Sequence, residues 1–287
     1  MPTGSMSNAA SDQAFILGNA RLHEPDRYIA ALLSPANVRD DLITIAAYLG
    51  EVRRIPLSVS DATLGEIRLQ WWRDVLEAGA EGGLSGNPIA DEMVRVMARH
   101  DLPLRLVLAP LDAACTELGG EPFGDEEDWS AYLGHAEGAG MQLAALCIGE
   151  QVSANGEQVL EVSGRAYAAV RMALRLPELI AKARWSVPKS IASKGDPRHV
   201  TRGEARAIIS RANDVLVEQA IRDLGRARKA LTFAHAGTLA AILQVALVRP
   251  YAKAILRGSR DSLLEPPQIA PLTRISRLWW ASKMSRI

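Results

Sequence analysis

The sequence predicts an all-α protein formed by a single large helical domain. Hydrophobic residues make up 48% of its 287 residues, and aromatic residues only 5%. Alanine and leucine dominate and runs of β-branched residues are scarce, which is typical of helices around a large core. Apolar residues recur at helical spacing without any strand pattern or repeat, and glycine and proline are expected to fall between the helices.

The helices can be placed approximately from this spacing. A small, polar segment over residues 1–13 is expected to be a disordered tail, followed by the helical domain over residues 14–287. One helix is expected to open at Ser34-Pro35 and to end or kink near Arg54, because Pro56 removes an amide donor. Further helices are predicted at about 61–78, 87–100, 102–118, 129–148, 158–179, 201–232 and 238–256, with a loop over 185–196.

Composition excludes several classes of protein. The formal net charge is zero, which argues against nucleic acid as a partner. Cys115 and Cys147 are too few for a disulfide framework or a zinc site, and they are expected to be buried, reduced thiols in a cytoplasmic protein. The N-terminus has the pattern of neither a signal peptide nor a transit peptide. The longest apolar run, 238–248, is shorter than the roughly 20 residues of a membrane span.

Two arginines stand out within residues 46–57, which read A-A-Y-L-G-E-V-R-R-I-P-L. This segment resembles the first catalytic helix of the squalene/phytoene synthase family. There the stretch carries a D-D-x-x-D motif whose carboxylates hold Mg²⁺ against a prenyl diphosphate. The three acidic positions are Arg53, Arg54 and Leu57 in this chain. A guanidinium offers only donors and a permanent positive charge, so it is not a ligand for a hard cation.

A second segment, 164–188, begins G-R-A-Y-A-A-V-R-M and resembles the second aspartate-rich segment of that family. The family reads G-x-A-x-Q-x-x-N-x-x-R-D-x-x-E-D, and the trailing Arg184 and Val187-Pro188 fix the register. Its D-x-x-E-D becomes R-L-P-E-L at 175–179, and its Asn becomes Arg171. The acids that remain in the two motif segments are Glu51 and Glu178.

The resemblance covers most of the chain, from 26–35 through 69–74 and 132–140 to 188. Residues 58–73 contain G-x-x-R-x-Q-x-W and resemble a branch of the family similar to the mitochondrial complex I assembly factor related to phytoene synthase. The resemblance implies the trans-isoprenyl diphosphate synthase fold, with a central cavity between the two motif helices.

The function that this branch implies is that of a catalytically degenerate synthase, which lacks both Mg²⁺-binding motifs and serves as an assembly or binding factor. Its expected partner is a subunit or assembly intermediate of respiratory complex I. Its expected location is the cytoplasm, with peripheral contact at the inner membrane. No catalytic residue, metal or cofactor is expected. The alternative is an active head-to-head prenyltransferase, a squalene or phytoene synthase, which would require Mg²⁺.

Several cations are expected to line the mouth of the cavity, because those on each motif helix lie one turn apart. Cations gathered in a cleft must be paired or neutralised. Internal salt bridges, with Glu51 and Glu178 as candidate partners, would replace the metal. Alternatively, a metal-free site would bind a prenyl diphosphate or a phospholipid head group. The candidate anion-binding residues are Arg53, Arg54, Arg171 and Arg175.

Two other segments carry clustered charge. Residues 274–287 interleave four cations with Trp279 and Trp280 and contain no acid. This pattern is typical of a membrane-interface helix or a partner-docking tail, and the alternative is a last helix packed on the domain. The acidic run 125–128 is predicted to begin a helix rather than to bind a metal, because carboxylates complement the helix dipole.

Overall fold

The fold is all-helical, as predicted. The computed structural model describes residues 3–149, 154–192, 199–231, 236–258 and 267–287, and no strand is assigned within these ranges. Short 3₁₀ turns lie at Gly79–Gly82 and Leu243–Leu247. The helices are α1 (Thr3–His23), α2 (Pro25–Leu32), α3 (Arg39–Ser58), α4 (Ala62–Ala78), α5 (Pro88–His100), α6 (Leu104–Gly119), α7 (Glu126–Cys147), α8 (Ala154–Ala181), α9 (Arg202–Leu231), α10 (Ala236–Ala241), α11 (Val248–Gly258) and α12 (Pro271–Met284).

The hydrophobic core consists of two clusters that meet at α7. The first cluster lies among α1 and α3–α6, around the fully buried Tyr48. The second lies among α8–α12, around Tyr167. Helix α7 contributes to both, because Leu143 packs in the first cluster and Trp129 in the second. The two motif segments, on α3 and α8, therefore belong to different halves of the core.

Glycines inside helices allow α7 and α8 to pack closely. A Cβ atom on Gly164 would lie 2.7 Å from the Cα atom of Gly138 and 2.8 Å from its nitrogen. These are backbone atoms, which cannot move aside as a flexible side chain can. The expectation that glycines fall only between helices is therefore wrong here.

The N-terminal segment differs from the prediction. A disordered tail is expected over residues 1–13, but α1 begins at Thr3. Its buried Ile16 and Ala20 belong to the first cluster, and α1 packs against α3 and α5. In the structure, residues 3–13 continue this helix, since each residue added to a helix that packing has nucleated contributes one further hydrogen bond. Residues 1 and 2 lie outside the described ranges.

Helix α3 is shifted toward the C-terminus relative to the prediction. It begins at Arg39, and Pro35 lies in the preceding turn, where its carbonyl accepts a hydrogen bond from the Val38 amide at 3.2 Å. The helix also continues through Pro56 to Ser58 instead of ending near Arg54. Pro56 lies in the last turn and is buried, so packing keeps the helical conformation although one backbone hydrogen bond is lost.

The apolar segment predicted as one helix over 238–256 is divided into α10, a 3₁₀ turn and α11. Pro250 accounts for the break, because it has no amide to donate to a preceding carbonyl. It lies instead in the first turn of α11, where that donor is not needed. Two further prolines, Pro110 and Pro177, lie inside α6 and α8, which again departs from the prediction.

Other local predictions are confirmed, except for the burial of Cys115. Helices α4 and α5 have the predicted bounds, and Asp125 caps α7 by accepting hydrogen bonds from the amides of Glu127 and Asp128 at 2.8 and 2.9 Å. Of the two cysteines expected to be buried, Cys147 is buried and Cys115 is exposed.

Candidate functional site

Between the two motif helices lies a group of charged side chains from five helices and the turn before α2. We call it the arginine–carboxylate cluster. It contains four arginines and three glutamates, so its formal charge is +1. Its members are Glu24, Arg27, Arg53, Glu117, Glu137, Arg171 and Arg175.

Glu24 is the most deeply buried member, with 0% of its surface exposed. It precedes α2 but does not cap that helix with its side chain. It instead accepts two hydrogen bonds from Arg171, at 2.8 Å from Nη1 and 3.1 Å from Nη2. Arg53 Nη2 also donates to it. Burial raises the pKa of the Glu24 carboxyl, while Arg53 and Arg27 act in the opposite direction.

Glu137 on α7 forms the second centre of the cluster. Its Oε1 accepts a hydrogen bond from Arg53 Nη1 at 2.8 Å, and its Oε2 accepts one from Arg27 Nη2 at 2.5 Å. Arg53 therefore bridges Glu24 and Glu137. Burial alone would lower the pKa of Arg27, but Glu137 and Glu24 outweigh it and raise the pKa. The pKa of Arg53 is raised in the same way, so both guanidinium groups stay charged.

Arg175 forms the third centre with Glu117 of α6. The pair is bidentate, with Nη1 2.9 Å from Oε1 and Nη2 2.7 Å from Oε2. Arg175 Nη2 also donates to the backbone carbonyl of Arg53 at 2.9 Å, which joins α8 to α3. The Tyr132 hydroxyl donates to Glu117 Oε1 at 2.7 Å. Burial and the Glu117 carboxylate raise the pKa of Tyr132 well above its usual range.

Not all of the predicted residues meet in this cluster. The structure brings Arg53, Arg171 and Arg175 together, but Arg54 points outward with 45% of its side chain exposed and pairs with Glu51 at 3.0 Å. Glu178 lies on the exposed side of α8.

The prediction that Glu51 and Glu178 would neutralise the cations is therefore wrong for Arg53, Arg171 and Arg175, which are partly buried. Their partners are Glu24, Glu117 and Glu137. Of these three, only Glu137 lies in a stretch that resembles the family, and no local pattern marks Glu24 or Glu117.

A second buried network adjoins the cluster and was not predicted. Asp26 Oδ2 accepts hydrogen bonds from the hydroxyls of Tyr167 and Tyr251, both at 2.7 Å. Arg274 of α12 lies with Nε 2.6 Å from Asp26 Oδ1. Burial raises the pKa of Asp26. Arg171 Nη1 donates to the Tyr167 hydroxyl at 3.0 Å, so the two networks are connected.

The cavity beside the cluster is small. Its volume is about 40 Å³, and it is lined on the polar side by Arg53, Glu117, Glu137, Arg171 and Arg175. A buried water occupies roughly 10–15 Å³ on this scale, whereas ligand pockets are typically about 300–1,000 Å³. The central cavity in this conformation therefore has room for a few water molecules and not for a prenyl chain.

Two findings on the described residues concern metal binding and membrane crossing. No group of three His, Cys, Asp or Glu side chains in those ranges is placed to hold a metal ion. None of the helices in the described part of the chain has the length and apolar character that crossing a bilayer requires.

The family is decided by a match over nearly the whole chain. The profile of the family described as Squalene/phytoene synthase matches residues 20–277. The chain belongs to the squalene/phytoene synthase family. The match includes both motif segments, and with them the positions of Arg53, Arg171 and Arg175.

Two synthases are among the solved structures of similar fold. A squalene synthase from Alicyclobacillus acidocaldarius has a TM-score of 0.66 and 18% identity, over 89% of this chain and 95% of that one. A dehydrosqualene synthase in complex with a ligand has a TM-score of 0.71 and 13% identity, over 97% and 98% of the two chains. At these identities the likeness shows the fold alone, which is the predicted trans-isoprenyl diphosphate synthase fold.

Curated relatives in the family carry the name NADH dehydrogenase (ubiquinone) complex I, assembly factor 6. The Bos taurus protein is 23% identical over 146 residues, which cover 51% of this chain and 44% of that protein. The Rattus norvegicus protein is 21% identical over 266 residues, which cover 90% and 79%. The first match thus spans less than half of the relative's length. The predicted resemblance to the assembly-factor branch is confirmed.

Proposed function

We propose that this chain is a catalytically inactive member of the squalene/phytoene synthase family that acts as an assembly or binding factor for respiratory complex I. The arginine–carboxylate cluster carries the proposal. Arg53 and Arg175 stand where the family resemblance places metal-binding aspartates, and Arg171 stands one turn before the second motif. All three guanidinium groups are engaged with buried carboxylates.

The residues of the cluster do not fit Mg²⁺. That ion requires near-octahedral oxygen ligands at about 2.0–2.1 Å, usually one or two carboxylates with substrate phosphates and water. Glu24, Glu117 and Glu137 each already accept hydrogen bonds from guanidinium groups. An incoming cation would have to displace these donors and would then face four arginines at close range.

The assembly role is supported by the names of the relatives in cattle and rat. An interior filled by salt bridges suits a protein that works through its outer surface. The partner in this proposal is a protein subunit or an assembly intermediate of complex I, with no nucleic acid involved. The proposed location is the cytoplasm, with peripheral contact at the inner membrane.

The catalytic half of the proposal is tested by incubating the purified protein with Mg²⁺ and farnesyl or geranylgeranyl diphosphate. We expect neither pyrophosphate release nor a thirty- or forty-carbon product. An active squalene synthase in the same buffer is the positive control. Turnover by this chain would contradict the inactive reading and support the alternative, a working head-to-head prenyltransferase.

The assembly half is tested by deleting the gene in the organism of origin. We expect complex I activity to fall and subcomplexes to accumulate on native gels, and both to recover when the wild-type gene is returned. Normal assembly of complex I after deletion of the gene would contradict the assembly role. Separate measurements therefore test the catalytic part and the assembly part of the proposed function.

Metal-free anion binding is the second candidate, and the formal charge of +1 on the cluster favours it. The ligand would be the diphosphate of a prenyl lipid or a phospholipid head group, held by guanidinium groups while its chain stays outside the cavity. Replacing Arg53, Arg171 or Arg175 by alanine, one at a time, should weaken lipid-diphosphate binding if the site exists, whereas Arg54→Ala, outside the cluster, should not. Unchanged binding in folded variants would leave these arginines with a structural role only.

A further inference from the structure

Helix α12 presents an apolar surface that the rest of the described chain does not cover. Leu272, Ile275 and Trp279 recur at the i, i+3, i+7 spacing of one helix face, and all three are exposed. Trp280 and Met284 widen the same surface and are also exposed. We call these five residues the α12 surface. Tryptophan, with a polar N–H on a large apolar ring, is well suited to a boundary between water and hydrocarbon.

The helix is held firmly behind this surface. Its opposite face carries the buried Leu278 and Ala281. The ion pair between Arg274 and Asp26 ties it to the buried network of α2, α8 and α11. The exposed side chains are therefore presented by an anchored helix and not by a loose tail.

A basic pocket opens beside the α12 surface, with a volume of about 620 Å³. It lies between α9, α11 and α12, and Trp280 belongs both to it and to the α12 surface. No acidic side chain lines it among the residues that the structure describes. The lining consists of Arg228, Leu231, Arg249, Arg277, Trp280, Ser285, Arg286 and Ile287.

The arginines of this pocket are close enough to influence one another. Burial lowers the pKa of Arg228, and the neighbouring charges of Arg249 and Arg277 lower it further. Arg228 Nε donates to the Ile287 carbonyl oxygen at 2.6 Å, which fixes its orientation. Arg249, Arg277 and Arg286 add three further cations to the lining. A phosphate would complement these cations, and guanidinium forks match its oxygens.

We propose that the α12 surface docks on a bilayer containing anionic phospholipid, and that the basic pocket holds a phosphate of one lipid head group. The exposed apolar side chains favour a lipid over free phosphate, because they lie at the rim of the same pocket. Besides the paired Arg274, segment 271–287 carries three cations and no acid, which complements an anionic membrane surface. This site deepens the membrane contact within the proposed function.

The test is co-sedimentation of the full chain with vesicles. We expect binding to vesicles of phosphatidylcholine mixed with phosphatidylglycerol, weak binding to phosphatidylcholine alone, and loss of binding at high salt. Arg249→Ala and Arg277→Ala should each reduce the partition coefficient about fivefold, the contribution of one cation near an anionic surface. Arg277→Glu should reduce it further, and Leu272→Ala should weaken binding at both salt concentrations.

Matched controls are available elsewhere on the surface. Leu84 is 78% exposed and Leu272 is 79% exposed, so Leu84→Ala removes equivalent apolar area outside the α12 surface. Arg95→Ala removes an exposed cation on α5. Both controls should bind vesicles like the wild type, and melting temperatures should show that all variants are folded.

Equal binding to neutral and anionic vesicles, or wild-type binding by Arg277→Glu, would overturn the proposal. Calorimetric binding of inorganic phosphate without any vesicle binding would assign the pocket to a free phosphate instead. If the α12 variants impair complex I assembly in cells while the wild-type protein does not bind vesicles, the α12 surface binds a protein partner and not a membrane. If the protein binds vesicles but complex I is normal after gene deletion, the membrane site is supported and the assembly role is contradicted.

Discussion

The partly buried arginines of α3 and α8 have defined partners at the level of single atoms. Arg171 makes a bidentate contact with Glu24, and Arg53 bridges the same carboxylate to Glu137. Each guanidinium group thus helps to neutralise a carboxylate that would otherwise be unpaired in the interior. Because the desolvation of both ions opposes their attraction, such a network is a weak source of net stability but is very sensitive to the loss of one partner.

Truncation of Arg171 tests this sensitivity. Arg171→Ala should lower the free energy of unfolding by about 3–5 kcal/mol, because Glu24 would be left buried with fewer counter-charges. Urea denaturation followed by circular dichroism measures the change. Arg54→Ala, which removes the exposed pair with Glu51, should cost no more than about 1 kcal/mol. Similar losses in the two variants would contradict the different roles assigned to them.

The two cysteines give a second residue-scale prediction. Burial raises the pKa of Cys147 to about 12, and burial also raises the pKa of the exposed Cys115. A disulfide reagent should therefore modify one thiol in the native protein and two in denaturant. The native rate should rise with pH, because only the thiolate reacts and both thiols are protonated near neutrality. A Cys115→Ser variant that still reacts quickly when native would refute this.

Sequence reasoning identified one side of the cluster and missed the other. Arg53, Arg171 and Arg175 could be named because a motif sets the residue types expected at their positions. Glu24 and Glu117 carry no such signal, since they are separated from their partners by 147 and 58 residues. Long-range pairing of this kind depends on how helices pack, and helical periodicity does not specify it.

At the scale of helices, the predicted bounds are correct where a side-chain cap defines the start of the helix. Asn87 caps α5 through its side chain and Asp61 caps α4, and both helices have the predicted bounds. The predictions failed where packing outweighed local signals. Pro56 lies within α3, and Gly164 lies within α8 at its contact with α7.

The close contact of α7 and α8 yields a prediction for the helices. Gly164→Ala should destabilise the protein by about 1–3 kcal/mol, because the new methyl group meets the backbone of Gly138 and overpacks the interface. Gly225→Ala in α9 meets no atom within 4 Å. It should instead stabilise by up to about 1 kcal/mol through helix propensity. Thermal unfolding of both variants measures the difference, and a stabilising Gly164→Ala would show that the helices separate without penalty.

Across the whole molecule, the arginine–carboxylate cluster joins the two halves of the core. Helix α8 belongs to the second apolar cluster, yet Arg175 binds Glu117 of α6 and the Arg53 carbonyl of α3 in the first. The family resemblance implies a central cavity between these helices. Here the space is filled by paired charges and leaves about 40 Å³, so the same fold is closed at its centre.

This bridging role predicts how the protein unfolds. In the wild type, hydrogen exchange in increasing urea should give one midpoint for peptides of α3–α6 and of α8–α9, because α7 and the charged cluster couple the halves. Arg171→Ala combined with Arg175→Ala should separate the two midpoints by on the order of 1 M urea. That value corresponds to roughly 3 kcal/mol of coupling lost between the two halves and a slope of about 2–3 kcal/mol/M.

The matched control for this experiment is Arg95→Ala combined with Arg222→Ala, which removes two exposed cations paired within their own helices. That variant should keep a single midpoint close to the wild-type value. Coincident midpoints in the Arg171, Arg175 variant, even at lower overall stability, would mean that apolar contacts through α7 are sufficient for coupling. The charged cluster would then stabilise its own side chains locally without joining the two halves of the domain.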